Sequence, residues 1–348
     1  MNSDELYMRR CIELASSGVG KTAPNPLVGS VVVYNGIIIG EGYHMEYGKS
    51  HAEVNAINSV KDRKLLPYST LFVNLEPCCH HGKTPPCTDL IQQVGIKRVV
   101  IGSVDMHHFV AGKGISKLRN IGCEVITGVL KKESRQLNKR FFTYHEKKRP
   151  YIILKWAQSV DGFIDPERAP DAKKEPNWIT SKYLRILVHK WRSREQAIMV
   201  GSNTAIMDDP KLNTRLWHGK NPLRIIIDPR LEVPGDSNVF DNSQKTLIVN
   251  EKKEKTQDNT TWLKMDCSSG SMIGQLMDYL YNQEYQSIII EGGRILLQNF
   301  IDKGFWDEAR IFSGKQFFAG GVKAPLIEGK TETMEEFHGE TLYVIKKY

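Results

Sequence analysis

Apolar residues recur with two periods along the first 130 positions and divide that stretch into helices and strands. Helical spacing predicts helices over 4–17, 51–60, 86–94 and 114–120, and β-rich runs predict strands over 27–34, 37–43, 70–75, 98–102 and 124–127. Asn35-Gly36 joins the first two runs, and this pair is favoured where both turn positions have φ > 0, so a hairpin is predicted. Strands that alternate with helices indicate an α/β layered domain.

A second α/β series begins after the basic stretch 147–149. A polar helix is predicted over 130–146 ahead of this stretch, and a helix over 181–194 with strands over 151–157, 197–200, 223–227, 246–249 and 287–290 is predicted beyond it. The polar segment 250–260 is predicted to be an exposed loop. Because 348 residues exceed one ordinary domain, we expect two domains, 1–146 and 147–348.

Composition places the chain among globular enzymes. Apolar residues make up 40% and charged residues 25%, which is ordinary globular usage. No apolar run reaches the roughly 18 residues of a membrane span, and the N-terminal MNSDELYMRR lacks the apolar region of a signal peptide. The six cysteines are few and unevenly placed, which favours free thiols and metal ligation over a disulfide framework. We therefore expect a cytoplasmic enzyme without a membrane partner.

The formal net charge of +8 has two interpretations. One is a basic face that binds nucleic acid, and the other is a protein whose small substrates and cofactors carry phosphate. Lys and Arg are scattered and form no stripe with aromatic residues, so we favour phosphorylated small molecules and expect no nucleic-acid partner.

Three residues have the types and positions of a catalytic zinc site. His51 opens a predicted helix, Cys78 follows a predicted strand, and Cys87 comes nine residues later. Catalytic zinc keeps three protein ligands and one water, and it brings the pKa of that water toward neutrality. Glu53, two residues after His51, is then placed to carry a proton from the water to a departing amine.

Alternatives remain at this point. Eight residues separate the two cysteines, so the short P-C-x-x-C motif of nucleobase deaminases is not matched literally. A closed structural zinc site with Cys79, His80 or His81 as fourth ligand is one alternative, and it would make the protein a zinc-stabilised binding module. A nucleic-acid-editing deaminase with an appended domain is another, and it predicts strongly salt-dependent binding.

Several motifs together resemble the bifunctional deaminase–reductase of riboflavin biosynthesis. They are P-N-P-L-V-G at 24–29, H-A-E at 51–53, L-E-P-C at 75–78, G-K-T-P-P-C at 82–87 and V-A-G-K-G at 110–114. The resemblance implies zinc ligands His51, Cys78 and Cys87 with Glu53 as proton donor, and substrate contacts from Asn25, His44, His80 and Lys83. Two departures are Cys79, where the family usually has Ser, and Asp105-Met106-His107, where an Asp-Pro-Asn turn is usual.

The second half carries one local signal of its own. The strand at 287–290 leads to Gly292-Gly293-Arg294 and an apolar helix, and backbone N–H groups at a helix start favour a phosphate. An ordinary tight turn is the alternative. The dinucleotide fingerprint G-x-G-x-x-G is absent near the start of this domain.

The same family resemblance extends to the second half and implies a dihydrofolate-reductase-like fold that binds NADPH. It implies cofactor contacts from Ala157, Trp178, Thr204, Asp208, Gly293, Arg294, Ile295 and Leu296, and substrate contacts from Lys155, Arg192, Leu212, Arg215 and Glu291. The residues alone also allow a core role for Trp178, a turn cap at Asp208, and surface ion pairs for Arg192 and Arg215. Pro176 stands where the family usually has Ser.

Taken as a whole, the resemblance implies a cytidine-deaminase-like α/β/α domain followed by the reductase domain. The first would remove the 2-amino group of a diaminopyrimidinone ribosyl 5′-phosphate with zinc, and the second would reduce the ribosyl chain of the aminouracil product with NADPH. We expect phosphorylated pyrimidines as substrates and self-association into a homo-oligomer.

Overall fold

The computed structural model describes residues 3–81, 85–106, 111–168, 175–266 and 272–348. The chain divides into two compact units, Met1–Lys148 and Arg149–Tyr348. In the described residues no helix has the length and apolar character that a bilayer span requires.

The first unit contains one five-stranded sheet and six α-helices among its described residues. In chain order the elements are α1 (Ser3–Ser16), β1 (Gly29–Tyr34), β2 (Ile37–Tyr43), α2 (Ala52–Ser59), β3 (Thr70–Leu75), α3 (Cys87–Gln93), β4 (Arg98–Ser103), α4 (Lys113–Asn120), β5 (Glu124–Thr127), α5 (Lys131–Leu137) and α6 (Lys139–Lys147). The strand order is β2-β1-β3-β4-β5, antiparallel at β2, β1 and β3 and parallel from β3 to β5.

Both faces of this sheet are covered because alternate side chains of a strand point to opposite sides. Val31 packs in a cluster with Met8 of α1, whereas Val32 packs with Ala56 of α2. The hairpin prediction is confirmed, because Asn35 and Gly36 have φ of 47° and 78° between β1 and β2. The polar helix predicted over 130–146 is two helices that meet at Asn138, whose side chain binds the backbone of Leu27.

The second unit is built on a ten-stranded sheet. Its elements are β6 (Tyr151–Gln158), β7 (Phe163–Asp165), α7 (Lys182–Arg192), β8 (Ala197–Gly201), α8 (Ser202–Asp208), β9 (Leu223–Ile227), β10 (Thr246–Asn250), β11 (Lys255–Gln257), β12 (Thr260–Lys264), α9 (Met272–Asn282), β13 (Ser287–Gly292), α10 (Arg294–Asp302), β14 (Glu308–Ser313), β15 (Val322–Lys323), β16 (Lys330–Phe337) and β17 (Glu340–Lys346). The order is β11-β12-β10-β9-β8-β13-β6-β14-β17-β16, with β7 and β15 paired separately.

The centre of this sheet is parallel and buried on both faces. Ile288 and Ile290 of β13 belong to one apolar cluster and Ile289 to the other, so the apolar run of this strand fills both layers. Antiparallel strands complete both edges of the sheet. One of them, β11, lies within the segment 250–260, so the loop prediction is wrong for Lys255–Gln257, although these residues are exposed as expected. It is also wrong at both ends of the segment, because Asn250 and Thr260 are buried strand residues.

Candidate functional site

Three side chains of the first unit converge at the carboxyl end of β3. His51 immediately precedes α2, Cys78 lies three residues beyond the last residue of β3, and Cys87 is the first residue of α3. The parallel strands β3 and β4 both end at this edge of the sheet. A sheet edge and two helix starts therefore fix the three positions.

The donor atoms of these residues fit one zinc ion. All three lie within 4.8 Å of one another, and His51 Nδ1 is 3.4 Å from the Cys78 sulfur and 3.3 Å from the Cys87 sulfur. Zn–N bonds of about 2.0 Å and Zn–S bonds of about 2.3 Å in a tetrahedron place the N and S ligand atoms about 3.5 Å apart. One imidazole and two thiolates are donors that zinc prefers, and they leave the fourth position open.

Zinc binding at this site has to release protons, because the hydrogen bond to Cys78 and burial raise the pKa of Cys87 well above its ordinary value. Hydrogen bonds from Cys87 and His51 lower the pKa of Cys78 to about 4, so Cys78 carries the thiolate that ligates zinc. The backbone N–H of Cys87 also donates to the Cys78 sulfur, over 3.3 Å. The thiolate in turn raises the pKa of His51 to about 9, so zinc would have to displace a proton from the ring nitrogen that ligates it.

No fourth protein ligand accompanies this group in the part of the chain that the structure describes. Cys79 is half-buried, and burial raises the pKa of its thiol above its ordinary value. His80 and His81 are exposed. The alternative of a closed structural zinc site therefore lacks its fourth ligand among the described residues.

Glu53 lies in the first turn of α2 beside the ligands. Its side chain is 3% exposed, and the Cys87 thiol donates a hydrogen bond to its carboxyl group. Burial raises the pKa of Glu53 to about 7, against the opposing effect of His51, and a divalent cation would oppose burial further. A carboxyl group in this range both accepts and releases protons near neutral pH.

Asn25 and His44 form a hydrogen-bonded pair next to the ligands. His44 lies edge-on to His51, with ring centroids 5.5 Å apart, and burial lowers its pKa so that the ring is neutral. Its Nδ1 is 3.0 Å from the carbonyl oxygen of Ser50, to which only a protonated nitrogen can donate. His44 Nε2 therefore accepts from the Asn25 amide nitrogen at 3.0 Å, which leaves the Asn25 amide oxygen as an acceptor for another group.

Of the other two substrate residues that the resemblance implies, His80 is exposed and Lys83 lies outside the described residues. The prediction that they approach the substrate stays a prediction.

Glu76 was not singled out by sequence reasoning, yet it organises the segment around Cys78. Its buried carboxylate accepts hydrogen bonds from the backbone N–H groups of Asp105, Gly112, Gly114 and Ile115 at 3.0–3.2 Å. The last two belong to the first turn of α4, so Glu76 caps that helix. The L-E-P-C motif was the available signal. It places the Glu76 carboxylate two residues before the ligand Cys78, where the metal site fixes the position of the backbone.

The second unit has a cleft of about 250 Å³. It contacts the carboxyl ends of β6, β8 and β13, where open α/β sheets bind ligands. The predicted residues that line it are Lys155, Ala157, Trp178, Arg192, Thr204, Asp208, Leu212, Arg215, Glu291, Gly293 and Arg294. Leu296 instead packs in the core and Ile295 is 79% exposed, so neither side chain lines the cleft.

Glu291 carries the central negative charge of the cleft. Arg192 donates to both of its oxygens at 2.7 Å, and Lys155 Nζ is 3.8 Å from one of them. Burial would raise the pKa of Glu291, but the two cations lower it to about 2, so it is ionised. Burial lowers the pKa of Lys155 from its ordinary value. Arg192 forms a buried bidentate pair, which differs from the surface pair that the sequence allowed.

Two cleft residues make contacts that sequence reasoning missed. Arg168 donates to Asp208 at 3.1 Å and to both oxygens of Asp165, so Asp208 is in an ion pair. The Arg185 guanidinium lies 4.3 Å from the ring centroid of Trp178, whose side chain is 49% exposed, so Trp178 is not a core residue. Arg185, His189 and Arg192 have a spacing of four and three residues, which places them on one face of a helix but does not show that this face meets a cleft.

The comparisons with known proteins identify both domains. The profile of the cytidine and deoxycytidylate deaminase zinc-binding region matches residues 1–103, and that of the RibD C-terminal domain matches residues 150–335. The riboflavin biosynthesis protein RibD of Aquifex aeolicus is 41% identical, over 92% of this chain and 89% of that protein. The Escherichia coli protein of that name is 34% identical, over 89% and 87%.

Solved structures extend the agreement to the whole chain. The Thermotoga maritima diaminohydroxyphosphoribosylaminopyrimidine deaminase/5-amino-6-(5-phosphoribosylamino)uracil reductase has a TM-score of 0.89 and 38% identity, covering 99% of both chains. Acinetobacter baumannii RibD has a TM-score of 0.86 and 29% identity, covering 99% of this chain and 98% of its own.

The fold and the two sites define a two-domain enzyme in which a zinc-dependent deaminase is joined to an NADPH-dependent reductase. The predicted fold class, an α/β deaminase-like domain followed by an α/β reductase domain, is confirmed. The chain belongs to the RibD family of riboflavin biosynthesis proteins. It is a bifunctional enzyme of that pathway and acts on small molecules.

Proposed function

We propose that the enzyme deaminates 2,5-diamino-6-ribosylamino-4(3H)-pyrimidinone 5′-phosphate and then reduces 5-amino-6-(5-phosphoribosylamino)uracil to its ribityl form. The name of the Thermotoga maritima enzyme, which is 38% identical over 99% of both chains, supports this substrate pair. We assign the first step to residues 1–146 and the second to residues 147–348. The convergence of His51, Cys78 and Cys87 beside buried Glu53 is the observation that carries the proposal.

In the deaminase, His51, Cys78 and Cys87 would hold zinc, which supplies an activated water near neutral pH. Glu53 takes up a proton from the water and releases it to the departing amino group, so that ammonia leaves as the carbonyl forms. The Asn25 amide oxygen accepts a hydrogen bond from the pyrimidine, in the orientation that His44 fixes. His80 and Lys83 complete the set of substrate contacts that we assign.

In the reductase, the cleft residues would hold NADPH, whose hydride would reduce the sugar carbon that becomes CH₂. The cofactor contacts that we assign are Ala157, Trp178, Thr204, Asp208 and the backbone at the start of α10, from Gly293 through Arg294 and Ile295 to Leu296. The ring-opened ribose needs one proton besides the hydride, and we assign its delivery to Lys155. Burial has lowered the pKa of Lys155, and Glu291 holds its ammonium group. Arg192, Leu212 and Arg215 complete the substrate contacts.

A two-part assay tests the proposal. Purified enzyme with the diamino substrate should release one ammonia per substrate, and added NADPH should then be consumed in equal amount. Ammonia release without later NADPH consumption would refute the reductase assignment, and no ammonia release from zinc-loaded enzyme would refute the deaminase assignment.

We also propose that the enzyme is a cytoplasmic homo-oligomer, in line with its small phosphorylated substrates. Sedimentation equilibrium of the full chain should give a mass of at least twice the 39.6 kDa protomer mass. Cell fractionation should recover the enzyme with cytoplasmic markers. A monomer at micromolar concentration would contradict the first part.

A further inference from the structure

The reductase cleft contains more positive charge than its carboxylates neutralise. Glu291 is paired with Arg192 and Lys155, and Asp208 is paired with Arg168. Arg185 and Arg215 also line the cleft, but neither forms an ion pair with a carboxylate of the described residues. Among the described residues, the hydrogen bond that Arg215 donates goes to the neutral side chain of Asn213, at 3.0 Å. With Arg294 at the start of α10, three guanidinium groups in this cleft therefore lack a counter-ion among the described residues, and two of them, Arg185 and Arg215, act on each other electrostatically.

Two buried polar atoms on the same helix face lack hydrogen bonds. Arg185 Nε and His189 Nδ1 are both buried without a partner in the described part of the chain. His189 is 4% exposed, and both residues line the cleft. Buried donors and acceptors without partners are rare in native proteins, and each one found calls for an explanation such as a ligand.

The charged groups on this face also repel one another. Besides burial, Arg192 and Arg185 lower the pKa of Arg215, and Arg192 and Arg215 lower the pKa of His189 to about 4. The opposing carboxylate is Glu291 in both cases, and it is already held by Arg192. Like charges gathered in a partly buried cleft are unfavourable unless an anion binds among them.

Arg185 has the geometry that suits such an anion. Its guanidinium carbon lies over the Trp178 ring, 4.3 Å from the ring centroid. An arginine on an aromatic face keeps its N–H groups available for hydrogen bonds to an anion. Arginine presents these groups to phosphate with two parallel hydrogen bonds. A second arginine, Arg215, lies in the same cleft, so two cations are available for a dianion.

We propose that Arg185 is a substrate-specificity residue of the reductase that binds, together with Arg215, the 5′-phosphate of the ribosyl-pyrimidine substrate. The inference rests on the proposed function, which supplies a phosphate monoester as part of the substrate. NADPH also carries a phosphate monoester, on its adenosine ribose, so the experiment must separate the two sources.

The test compares Arg185→Gln with Lys182→Gln in the full chain. Lys182 is exposed on the same helix and does not line the cleft, so its replacement removes the same charge from α7 without touching the cleft. Reduction is measured with the phosphorylated substrate and with the same compound after phosphatase treatment, each with NADPH and with NADH. Binding of ribose 5-phosphate and of ribose is measured by calorimetry.

Arg185→Gln should lower kcat/KM for the phosphorylated substrate by about 10- to 100-fold, the effect of one charge-assisted hydrogen-bonded pair. The value for the dephosphorylated substrate and the KM for NADPH should stay within twofold of those of Lys182→Gln. Arg185→Lys should recover part of the loss, because it keeps the charge without the planar fork. Ribose 5-phosphate binding should weaken in parallel.

An unchanged preference for the phosphorylated substrate in Arg185→Gln would overturn the proposal. An increase in KM for NADPH with no change for NADH would overturn it in favour of the cofactor phosphate. If the wild-type enzyme reduces neither pyrimidine, the proposed function fails, and ribose 5-phosphate binding still decides the role of Arg185. Equal affinity of the wild type and Arg185→Gln for ribose 5-phosphate would then refute it.

Discussion

The carboxylate of Glu76 accepts a 3.0 Å hydrogen bond from the backbone of Gly114, 38 positions further along the chain. Gly114 also packs too closely on the preceding segment to carry a side chain, because a Cβ there would lie 2.2 Å from the carbonyl oxygen of Pro77. Pro77 is followed directly by Cys78, so the start of α4 packs on the peptide that carries a zinc ligand.

Gly114→Ala should therefore loosen the zinc site. The new methyl group forces the Pro77 backbone to shift, which we expect to destabilise the first unit by about 1–3 kcal/mol. Zinc transfer to a chromophoric chelator should be faster than in the wild type. Asn120→Ala, at the exposed end of the same helix, is the control and should leave the transfer rate unchanged. Wild-type transfer kinetics in Gly114→Ala would contradict this role of the contact.

Cys87→Ala should lose zinc, because it removes one of three protein ligands from a site with no replacement among the described residues. We expect less than about a tenth of the wild-type metal content, measured by elemental analysis after dialysis, and no ammonia release. Cys123→Ala is a matched control, since Cys123 is buried in the same unit but belongs to the apolar core. Full zinc occupancy in Cys87→Ala would remove Cys87 from the ligand set.

Glu53→Gln should keep its zinc and lose about 10²–10⁴-fold in the rate of ammonia release, because only the proton carrier is removed. Gln has the same size as Glu and fits the buried position. Metal content and thermal unfolding are measured alongside the rate. Loss of zinc from this variant would mean that Glu53 is a ligand, and the proposed proton transfer would then be wrong.

His189 makes stability depend on pH in a defined direction. Burial, with Arg192 and Arg215, lowers its folded-state pKa to about 4, below the ordinary value of 6.5. Between these values the unfolded chain binds a proton that the folded chain does not, so the free energy of unfolding falls as pH falls from 6.5 toward 4. Urea midpoints at pH 7.5 and 5 should therefore drop more in the wild type than in His189→Gln. Equal drops would refute this contribution.

The two activities should be separable by mutation. Every proposed zinc-site residue precedes position 90 and every proposed reductase residue follows position 150, and the chain divides into two compact units at 148. His51→Ala should abolish ammonia release yet leave NADPH oxidation within twofold when the deaminated intermediate is supplied. Glu291→Ala should do the reverse. If folded His51→Ala cannot reduce the supplied intermediate, the assignment of independent sites is wrong.

Local patterns predicted the elements whose causes are local. Asn35-Gly36 defines the β1–β2 turn by its own backbone preference, and the apolar run at 287–290 identifies a buried strand. The exposed strand β11 was missed because its stability comes from pairing with Thr260–Lys264, which no pattern within the polar segment 250–260 reveals. Asn138 was likewise missed as a break between two helices, because the reason is its contact with Leu27, 111 positions away.

The site residues also divide into those with a local sequence signal and those that depend on distant contacts. The zinc ligands were predictable because few residue types bind zinc and their motif is specific. Arg185 and His189 were not, since helical spacing alone cannot tell which face of α7 meets a cleft. The capping role of Glu76 depends on backbone N–H groups that the fold brings to it from 29 to 39 positions away.

Helix α7 has a core face and a cleft face that alternate along the same eleven residues. Leu184 and Trp191 pack in the core and Arg185 and Arg192 line the cleft, while Val188 packs in the core and also touches the cleft. One residue inserted inside the helix would turn everything beyond it by about 100°, which would bury a guanidinium and take Arg192 away from Glu291. Evolution can therefore change the length of this chain in the turns on either side of α7, but a gap in an alignment of related reductases should not fall inside the helix.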